Sequence, residues 1–233
     1  MPRSFAAGAI GLWLASLPLA SVAQQAVVVE LYTSQGCSSC PPADAFLGEL
    51  TKDAGVIPLA LHVDYWDYIG WADVFAQPGF TRRQHAYAKA TGSKMVYTPQ
   101  LIIAGQVADQ DHGVEGIWQQ IKAKAESAPA VGLSVERAGE TLTVRAEALV
   151  AQDHPLAVQL VRYTPEQVVT IERGENAGQT ITYHNVVTSW ERLAEWDGQA
   201  PLEISAAIAG DAPAVIIVQR AGPGEILAAA RVE

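Results

Sequence analysis

Positive charge is scarce in this sequence of 233 residues. Lysine and arginine together number 15 against 25 aspartates and glutamates, which gives a formal net charge of -10 with histidine neutral. A chain with this balance repels a phosphate backbone, and we therefore predict that nucleic acids are not among its partners. Apolar residues make up 49% of the chain, which is enough for packed cores and argues against intrinsic disorder.

Long apolar runs are also missing beyond the N-terminus. Residues 6–19 carry no charge and follow Arg3, and residues 21–23 (SVA) place small side chains where a signal peptidase cleaves. The apolar run is shorter than the ~20 residues that cross a bilayer as a helix. We predict that residues 1–23 are a cleaved signal peptide, with an uncleaved anchor as the alternative. The mature protein is then periplasmic or secreted and has no membrane span.

Cysteine occurs only twice, as Cys37 and Cys40. In an exported protein, two cysteines usually form a structural disulfide. A bridge between residues three positions apart closes a very small loop, however, and restrains the unfolded chain little. A structural zinc site would need two further ligands, and the chain has no second cysteine pair. The pair therefore favours redox or thiol chemistry over an inert bridge or a metal site.

The residues around the cysteine pair predict a strand, a turn and a helix. Residues 25–33 (QAVVVELYT) form a β-branched apolar run that is typical of a buried strand. Residues 43–50 repeat apolar side chains at helical spacing, and residues 56–63 (VIPLALHV) predict a second buried strand. The cysteines then lie at the strand-to-helix turn of a β-α-β unit.

The pattern changes about halfway along the chain. After the β-α-β unit, a helix is predicted over 81–91, a third strand ends at 105, and a closing helix covers 113–127. This is the order of elements in thioredoxin, so we predict a thioredoxin-like α/β domain over residues 25–128. Beyond a linker at Pro129, short alternating runs separated by glycine turns predict a smaller all-β, sandwich-like domain over residues 130–233.

The position of each cysteine predicts its role. Cys37 falls where the strand gives way to the helix, and the free backbone N–H groups of a helix N-terminus stabilise a thiolate. Cys40 lies one helical turn further in and is expected to be more buried. We therefore predict that Cys37 attacks a substrate sulfur and that Cys40 resolves the mixed disulfide.

Thr98 and Pro99 stand directly before the third strand. Thioredoxin-like proteins carry a cis-proline loop at this place, beside the cysteines. The cis form of a peptide bond has a low free-energy cost only where the bond precedes proline. We predict that Thr98-Pro99 orients an extended substrate segment. The alternative is an ordinary trans turn into the strand.

Two further side chains are candidates for proton or metal chemistry. Glu30 lies within the first strand, where a carboxylate is expected to be at least partly buried, and it could relay protons to Cys40. The alternatives for Glu30 are an exposed edge position or a pair with an arginine. His62 closes the second strand, where it could ligate copper(I) or zinc together with Cys37 and Cys40, or serve as a hydrogen-bonded structural histidine.

One segment departs from the acidic character of the chain. Residues 74–108 contain no acidic side chain but include Arg82, Arg83, Lys89 and Lys94. This local positive charge predicts either support for a thiolate or attraction of an acidic substrate. The alternative is a helix face that is simply solvated.

Several stretches resemble a known family. ELYTSQGCSSCPPAD, HVDYWDYIGW and VYTPQLIIAG are similar to the exported thioredoxin-like proteins grouped as "domain of unknown function 1223", and NVV at residues 185–187 extends the resemblance into the second half. The resemblance implies a thioredoxin-like domain joined to a β-rich domain. It implies no substrate, because the family has no assigned activity to carry over.

Together the patterns predict an exported thioredoxin-fold protein that acts as a thiol–disulfide oxidoreductase through its Cys-Ser-Ser-Cys pair. Its expected partners are protein or small-molecule thiols and disulfides. No cofactor is expected, since the chain has no glycine-rich phosphate loop. Two alternatives stay open: a metallochaperone-like module for copper(I) or zinc, and a non-catalytic binding protein on a thioredoxin scaffold.

Overall fold

The computed structural model describes residues 26–232, so the predicted signal segment, residues 1–23, lies outside the described residues. The first half consists of β1 (Val27–Thr33), α1 (Pro41–Leu50), β2 (Val56–His62), α2 (Pro78–Ala90), β3 (Gln100–Ile103), β4 (Gln106–Val107) and α3 (Gly113–Ala125), with a short 3-10 turn at Asp67–Ile69. Among the described residues, no helix is long and apolar enough to cross a bilayer.

The second half contains strands only, as far as the described residues extend. They are β5 (Val131–Ala138), β6 (Thr141–Ala148), β7 (Leu156–Thr170), β8 (Thr180–Trp196), β9 (Leu202–Ala207), β10 (Ala214–Arg220) and β11 (Ile226–Val232). Strands β7 and β8 have 15 and 17 residues, respectively, about three times the usual strand length. Their outer ends and the intervening loop, residues 164–186, form an arm that reaches back over the first half.

One mixed sheet of eight strands runs through both halves, in the order β11-β10-β7-β8-β2-β1-β3-β4. Strand β1 pairs in parallel with β2 and antiparallel with β3. Every residue of β1 and β2 is buried, because helices cover both faces of the sheet here. Leu31 packs with Leu47 of α1 and Ile117 of α3 on one face. Tyr32, the next residue, packs with Tyr87 of α2 on the other.

The two halves join at the edge of β2 and at a pair of turns. Strand β8 pairs in parallel with β2 at Ala60 and Val186. At the other junction the β3–β4 turn meets the β10–β11 turn. A Cβ on Gly105 would overlap the carbonyl oxygen of Gly224, and Gly105 also has a φ of +80°. Only glycine fits this close approach.

The smaller sheet has three antiparallel strands, in the order β5-β6-β9. It covers part of the large sheet, and the core between the two sheets includes Val144 of β6, Val158 of β7 and Ile216 of β10. The alternating burial along β6 agrees with one face in this core and one face in solvent.

The predicted combination of an α/β part followed by a β-rich part is confirmed in this coarser form: a large mixed sheet and a smaller antiparallel sheet. Four strands of the second half extend the sheet of the first half instead of building a sandwich of their own. The boundary near Pro129 therefore stays a prediction. Helix α2 begins at Pro78, three residues before the predicted start, because proline suits the first helical position.

Candidate functional site

The site is built around a disulfide between Cys37 and Cys40, with an S–S distance of 2.06 Å. Cys40 is the residue that caps the N-terminus of α1, and its carbonyl oxygen accepts hydrogen bonds from the N–H groups of Ala43 at 2.9 Å and Asp44 at 3.0 Å. The bridge therefore lies at the positive end of the helix dipole, where a thiolate released from it is stabilised.

The turn before the cysteines packs closely against Trp66. A Cβ on Gly36 would lie 3.1 Å from Cβ of Trp66, so this position favours glycine. The Nε1–H of Trp66 donates a 2.7 Å hydrogen bond to the hydroxyl oxygen of Thr98. The peptide bond between Thr98 and Pro99 is cis, which agrees with the predicted cis-proline loop and not with a trans turn. Trp66 thus links the cysteine turn to this loop.

The arm from the second half covers the disulfide. The side-chain amide of Asn176 donates hydrogen bonds of 2.9 Å to the carbonyl oxygens of both Gln35 and Cys37. Asn176 is only 1% exposed, and Cys37 and Cys40 are 1% and 0% exposed. Only Ser38 and Ser39, between the cysteines, face solvent. Both cysteines are therefore buried with the arm in place, while the Ser38-Ser39 turn between them is open to solvent.

Behind the disulfide, buried polar side chains gather on the α1 face of the sheet. Asp44, Thr33, His62 and Tyr183 each have at least one buried polar atom with no hydrogen-bond partner among residues 26–232. Nδ1 of His62 lies 2.7 Å from Oδ2 of Asp73, and the ring makes edge contact with that of Tyr183 at 5.0 Å between centroids. Buried polar groups usually have partners, so this set, the α1-face cluster, is unusual.

Asp44 supplies the carboxylate of the α1-face cluster. It lies one helical turn after Cys40, and side chains on a helix lean toward its N-terminus, which here holds the disulfide. Burial raises the pKa of Asp44 from 3.8 to about 6, although nearby His62 and Thr33 oppose part of the shift. Burial of the Tyr183 hydroxyl, together with the charges of Asp44 and Asp73, raises the pKa of Tyr183.

Glu30 lies on the opposite face of β1, against α2. Its carboxylate accepts hydrogen bonds of 2.7 and 3.0 Å from Arg83 and of 2.6 Å from the hydroxyl of Tyr87, while Tyr32 donates a further bond at 3.2 Å. Burial works against the charge on Arg83, but Glu30 outweighs it and the pKa of Arg83 is raised. The structure therefore favours the pair with an arginine, and a relay from Glu30 to Cys40 stays a prediction without support from this geometry.

His62 is completely buried and held by Asp73, as expected for a structural histidine. The part of the chain that the structure describes contains no group of three or more His, Cys, Asp or Glu side chains placed to hold a metal ion. Ligation of copper(I) or zinc by Cys37, Cys40 and His62 accordingly stays a prediction, and the structure adds nothing in its favour.

Two residues of the site are missed by sequence reasoning. Asp44 follows Cys40 by four positions, a spacing that places both on one helix face, and this signal was available in the sequence. Asn176 lies 139 residues after Cys37, in a loop whose path depends on the pairing of β7 with β8. No local pattern marks it.

Comparisons with known proteins identify the family. The family model described as "Protein of unknown function (DUF1223)" matches residues 28–219, and the chain belongs to this family. No curated protein matches the sequence.

The solved structures that are similar to this chain include these two. Protein AGR_C_4864 from Agrobacterium tumefaciens is 31% identical, with a TM-score of 0.74 over 90% of this chain and 95% of that one. HBP35 of Porphyromonas gingivalis is 12% identical, with a TM-score of 0.65 over 89% of this chain and 74% of that one, and supports the fold alone.

Proposed function

We propose that this member of the DUF1223 family is an exported thiol–disulfide oxidoreductase with a thioredoxin-like first half. The observation that carries the proposal is the Cys37–Cys40 disulfide at the N-terminus of a helix that follows the buried strand β1. The strand order β2-β1-β3-β4, with α1 and α3 on one face and α2 on the other, supports the thioredoxin-like part.

The proposed reaction has two exchange steps. A substrate thiolate attacks Sγ of Cys37, the bond between Cys37 and Cys40 breaks, and Cys40 leaves as a thiolate that takes up a proton. A second substrate thiolate then attacks the substrate sulfur of the mixed disulfide. The substrate disulfide forms, and Cys37 is released as a thiolate, so two electrons pass from the substrate to the protein. The reverse sequence reduces a substrate disulfide.

Asp44 is the group best placed to handle the proton of Cys40. It lies one turn along the same helix, it is buried beside the disulfide end of that helix, and burial raises its pKa to about 6. A carboxyl group with such a pKa exchanges its proton near neutral pH. In this proposal Asp44 carries the proton for the resolving cysteine, and His62 and Tyr183 surround it on the buried side.

The arm controls access to the reacting sulfur. Cys37 is 1% exposed with the arm in place, so in this proposal opening of the contact between Asn176 and Cys37 uncovers the sulfur for an incoming thiolate. The hydrogen bonds from Asn176 go to backbone carbonyls and not to sulfur, so they can break without changing the disulfide itself.

The test is to trap substrates on one cysteine. In Cys40→Ser the resolving thiol is gone, so a mixed disulfide on Cys37 persists and mass spectrometry identifies what it holds. Cys37→Ser is the matched control, because it keeps one thiol in the same turn but removes the proposed nucleophile. Adducts on Cys40→Ser alone support the proposal. Equal trapping by both variants, or by neither, contradicts it.

A further inference from the structure

A large groove lies on the α2 face, between α2 and strands β7, β8 and β10. It has a volume of about 730 Å³, and neither the two cysteines nor Thr98 and Pro99 line it. Five cationic side chains line it without one acidic residue among the described lining residues: Arg82, Arg83, Lys89, Arg192 and Arg220. The whole chain has 15 lysines and arginines and a net charge of -10. One third of its positive charges therefore meet in this basic groove.

The floor of the basic groove is a connected network of side chains. The guanidinium of Arg83 stacks on the ring of Trp190 at 3.7 Å. The indole N–H of Trp190 donates to Gln159 at 2.8 Å, Gln159 donates to Gln219 at 3.0 Å, and Gln219 donates to the hydroxyl of Tyr87 at 2.8 Å. Because each side chain is held by the next, the floor is already organised before any ligand arrives.

The charges at the rim are only partly neutralised. Neither Arg82 nor Lys89 has an ion-pair partner within residues 26–232. Nη1 of Arg192 lies 3.5 Å from Oε2 of the exposed Glu195, in the same strand. Nη1 of Arg220 donates to Asp153 at 2.9 Å, but its Nε is buried and has no hydrogen-bond partner in the described part of the chain. The rim therefore offers charged donors that the protein itself does not satisfy.

The walls between these charges are apolar. Phe80, Ala86 and Ala157 line the groove together with the ring of Trp190. A groove of several hundred Å³ with apolar walls and a few convergent polar groups is typical of small-molecule sites. Cationic donors select an anion, since carboxylate and phosphate accept charge-assisted hydrogen bonds from arginine.

We propose that the basic groove binds an amphiphilic organic anion, a small molecule with an apolar or aromatic body and at least one carboxylate or phosphate group. The apolar body lies against Trp190 and Ala86, and the anionic group meets Arg82, Lys89 and Arg220. Helix α2 comes from the first half and the strands come from the second, so the site exists only where the two halves share one sheet. It is independent of the disulfide chemistry.

The direct test is calorimetric titration of the full mature chain with 1-naphthyl phosphate at low salt. The matched probes are 1-naphthol, which keeps the ring without the charge, and inorganic phosphate, which keeps the charge without the ring. We expect one binding site for 1-naphthyl phosphate and affinities at least about tenfold weaker for the other two, since each probe loses one set of contacts. Added sodium chloride weakens the binding.

A pair of double variants locates the site. Arg82 and Lys89 are both exposed and take no part in the network on the floor, so Arg82→Ala with Lys89→Ala keeps the fold and is expected to weaken binding by about tenfold or more. Lys94→Ala with Arg173→Ala removes the same two residue types at exposed positions outside the groove and is expected to leave binding unchanged.

The outcomes separate this proposal from its rivals. Equal binding by the two double variants overturns the assignment to the basic groove. Tight binding of inorganic phosphate alone, or of an acidic peptide with no binding of 1-naphthyl phosphate, overturns the small-molecule class. The protein with both Cys37→Ser and Cys40→Ser should bind as the parent does, so a failure of the redox proposal leaves this result intact.

Discussion

Two buried carboxylates lie on opposite faces of the large sheet, and their surroundings differ. On the α2 face, Glu30 accepts hydrogen bonds from Arg83, Tyr87 and Tyr32, and all of these are packed between α2 and the sheet. On the α1 face, Asp44 has only the hydroxyl of Thr33 and the ring of His62 close enough to favour its charge, and neither carboxylate oxygen has a partner in good hydrogen-bond geometry within the described residues. A fully satisfied charge network stabilises a fold, whereas an unsatisfied buried carboxyl costs stability and is kept for another reason.

The difference in surroundings indicates that Asp44, and not Glu30, is suited to proton transfer. Glu30 forms an ion pair with Arg83 and accepts hydrogen bonds from two tyrosines, so its carboxylate oxygens are already engaged. Asp44 has no such pair, and its raised pKa of about 6 puts both of its protonation states within reach at physiological pH. The face that holds the disulfide is thus the face that holds the titratable acid.

The largest expected effect is on the α2 face. Arg83→Met leaves Glu30 buried without its counter-charge and is expected to lower the free energy of unfolding by about 3–5 kcal/mol. Urea unfolding of the purified variant measures this. Arg82→Met, at the neighbouring exposed position, is the control and is expected to stay within about 0.5 kcal/mol of the parent. A loss below about 1 kcal/mol for Arg83→Met would show that the Glu30 network is not a structural unit.

The second effect concerns the α1 face and depends on pH. Because the pKa of Asp44 is raised from 3.8 to about 6, the folded state holds more protons than the unfolded state between these values. The contribution of Asp44 to the free energy of unfolding therefore falls as pH rises through this window, by about 3 kcal/mol at 1.36 kcal/mol per pKa unit.

Asp44→Asn removes that dependence. The variant is expected to be more stable than the parent at pH 7, by about 1–3 kcal/mol, and to show a flatter stability profile between pH 4 and pH 6, about the interval between the two pKa values. Urea unfolding across pH 4 to 8 checks both points. Asp53→Asn, at an exposed position just after α1, serves as the control for a simple loss of charge. An unchanged slope in Asp44→Asn would place the titrating group elsewhere.

The smallest effect tests the cover over the disulfide. Asn176→Ala removes two hydrogen bonds to the carbonyls of Gln35 and Cys37 and is expected to cost about 1–2 kcal/mol of stability. Because the arm then opens more easily, dithiothreitol should reduce the bridge about fivefold faster. This change in rate corresponds to about 1 kcal/mol in the free energy of opening. Glu175→Ala, an exposed neighbour, should leave the rate unchanged. If both variants react alike, the arm does not control access.

What the sequence predicts well is local. The strand, turn, cysteines and helix from residue 26 to residue 50 are contiguous, so periodicity and capping signals define them. The loop at Thr98-Pro99 was also found, because proline restricts the chain wherever it stands. The family resemblance agrees with the family match over residues 28–219.

What could not be predicted depends on pairing between distant strands. Glu30 is predicted as a relay because it is a carboxylate within a buried strand, but which face of the strand it occupies is set by its register against β2 and β3. Asn176 reaches the disulfide only because β7 and β8 are long enough to carry it there. The cations of α2 were recognised in sequence, yet Arg192 and Arg220 join them only through the shared sheet.

The central claim is that Cys37 and Cys40 form a reversible redox couple, and equilibration with glutathione buffers of known potential tests it most directly. The reduced fraction is read by thiol alkylation and mass spectrometry, with Cys37→Ser as the blank. The account predicts a single two-electron transition within the range of redox-active thioredoxin folds, about -270 to -120 mV. A bridge that stays oxidised to below about -300 mV, as structural disulfides do, would contradict it.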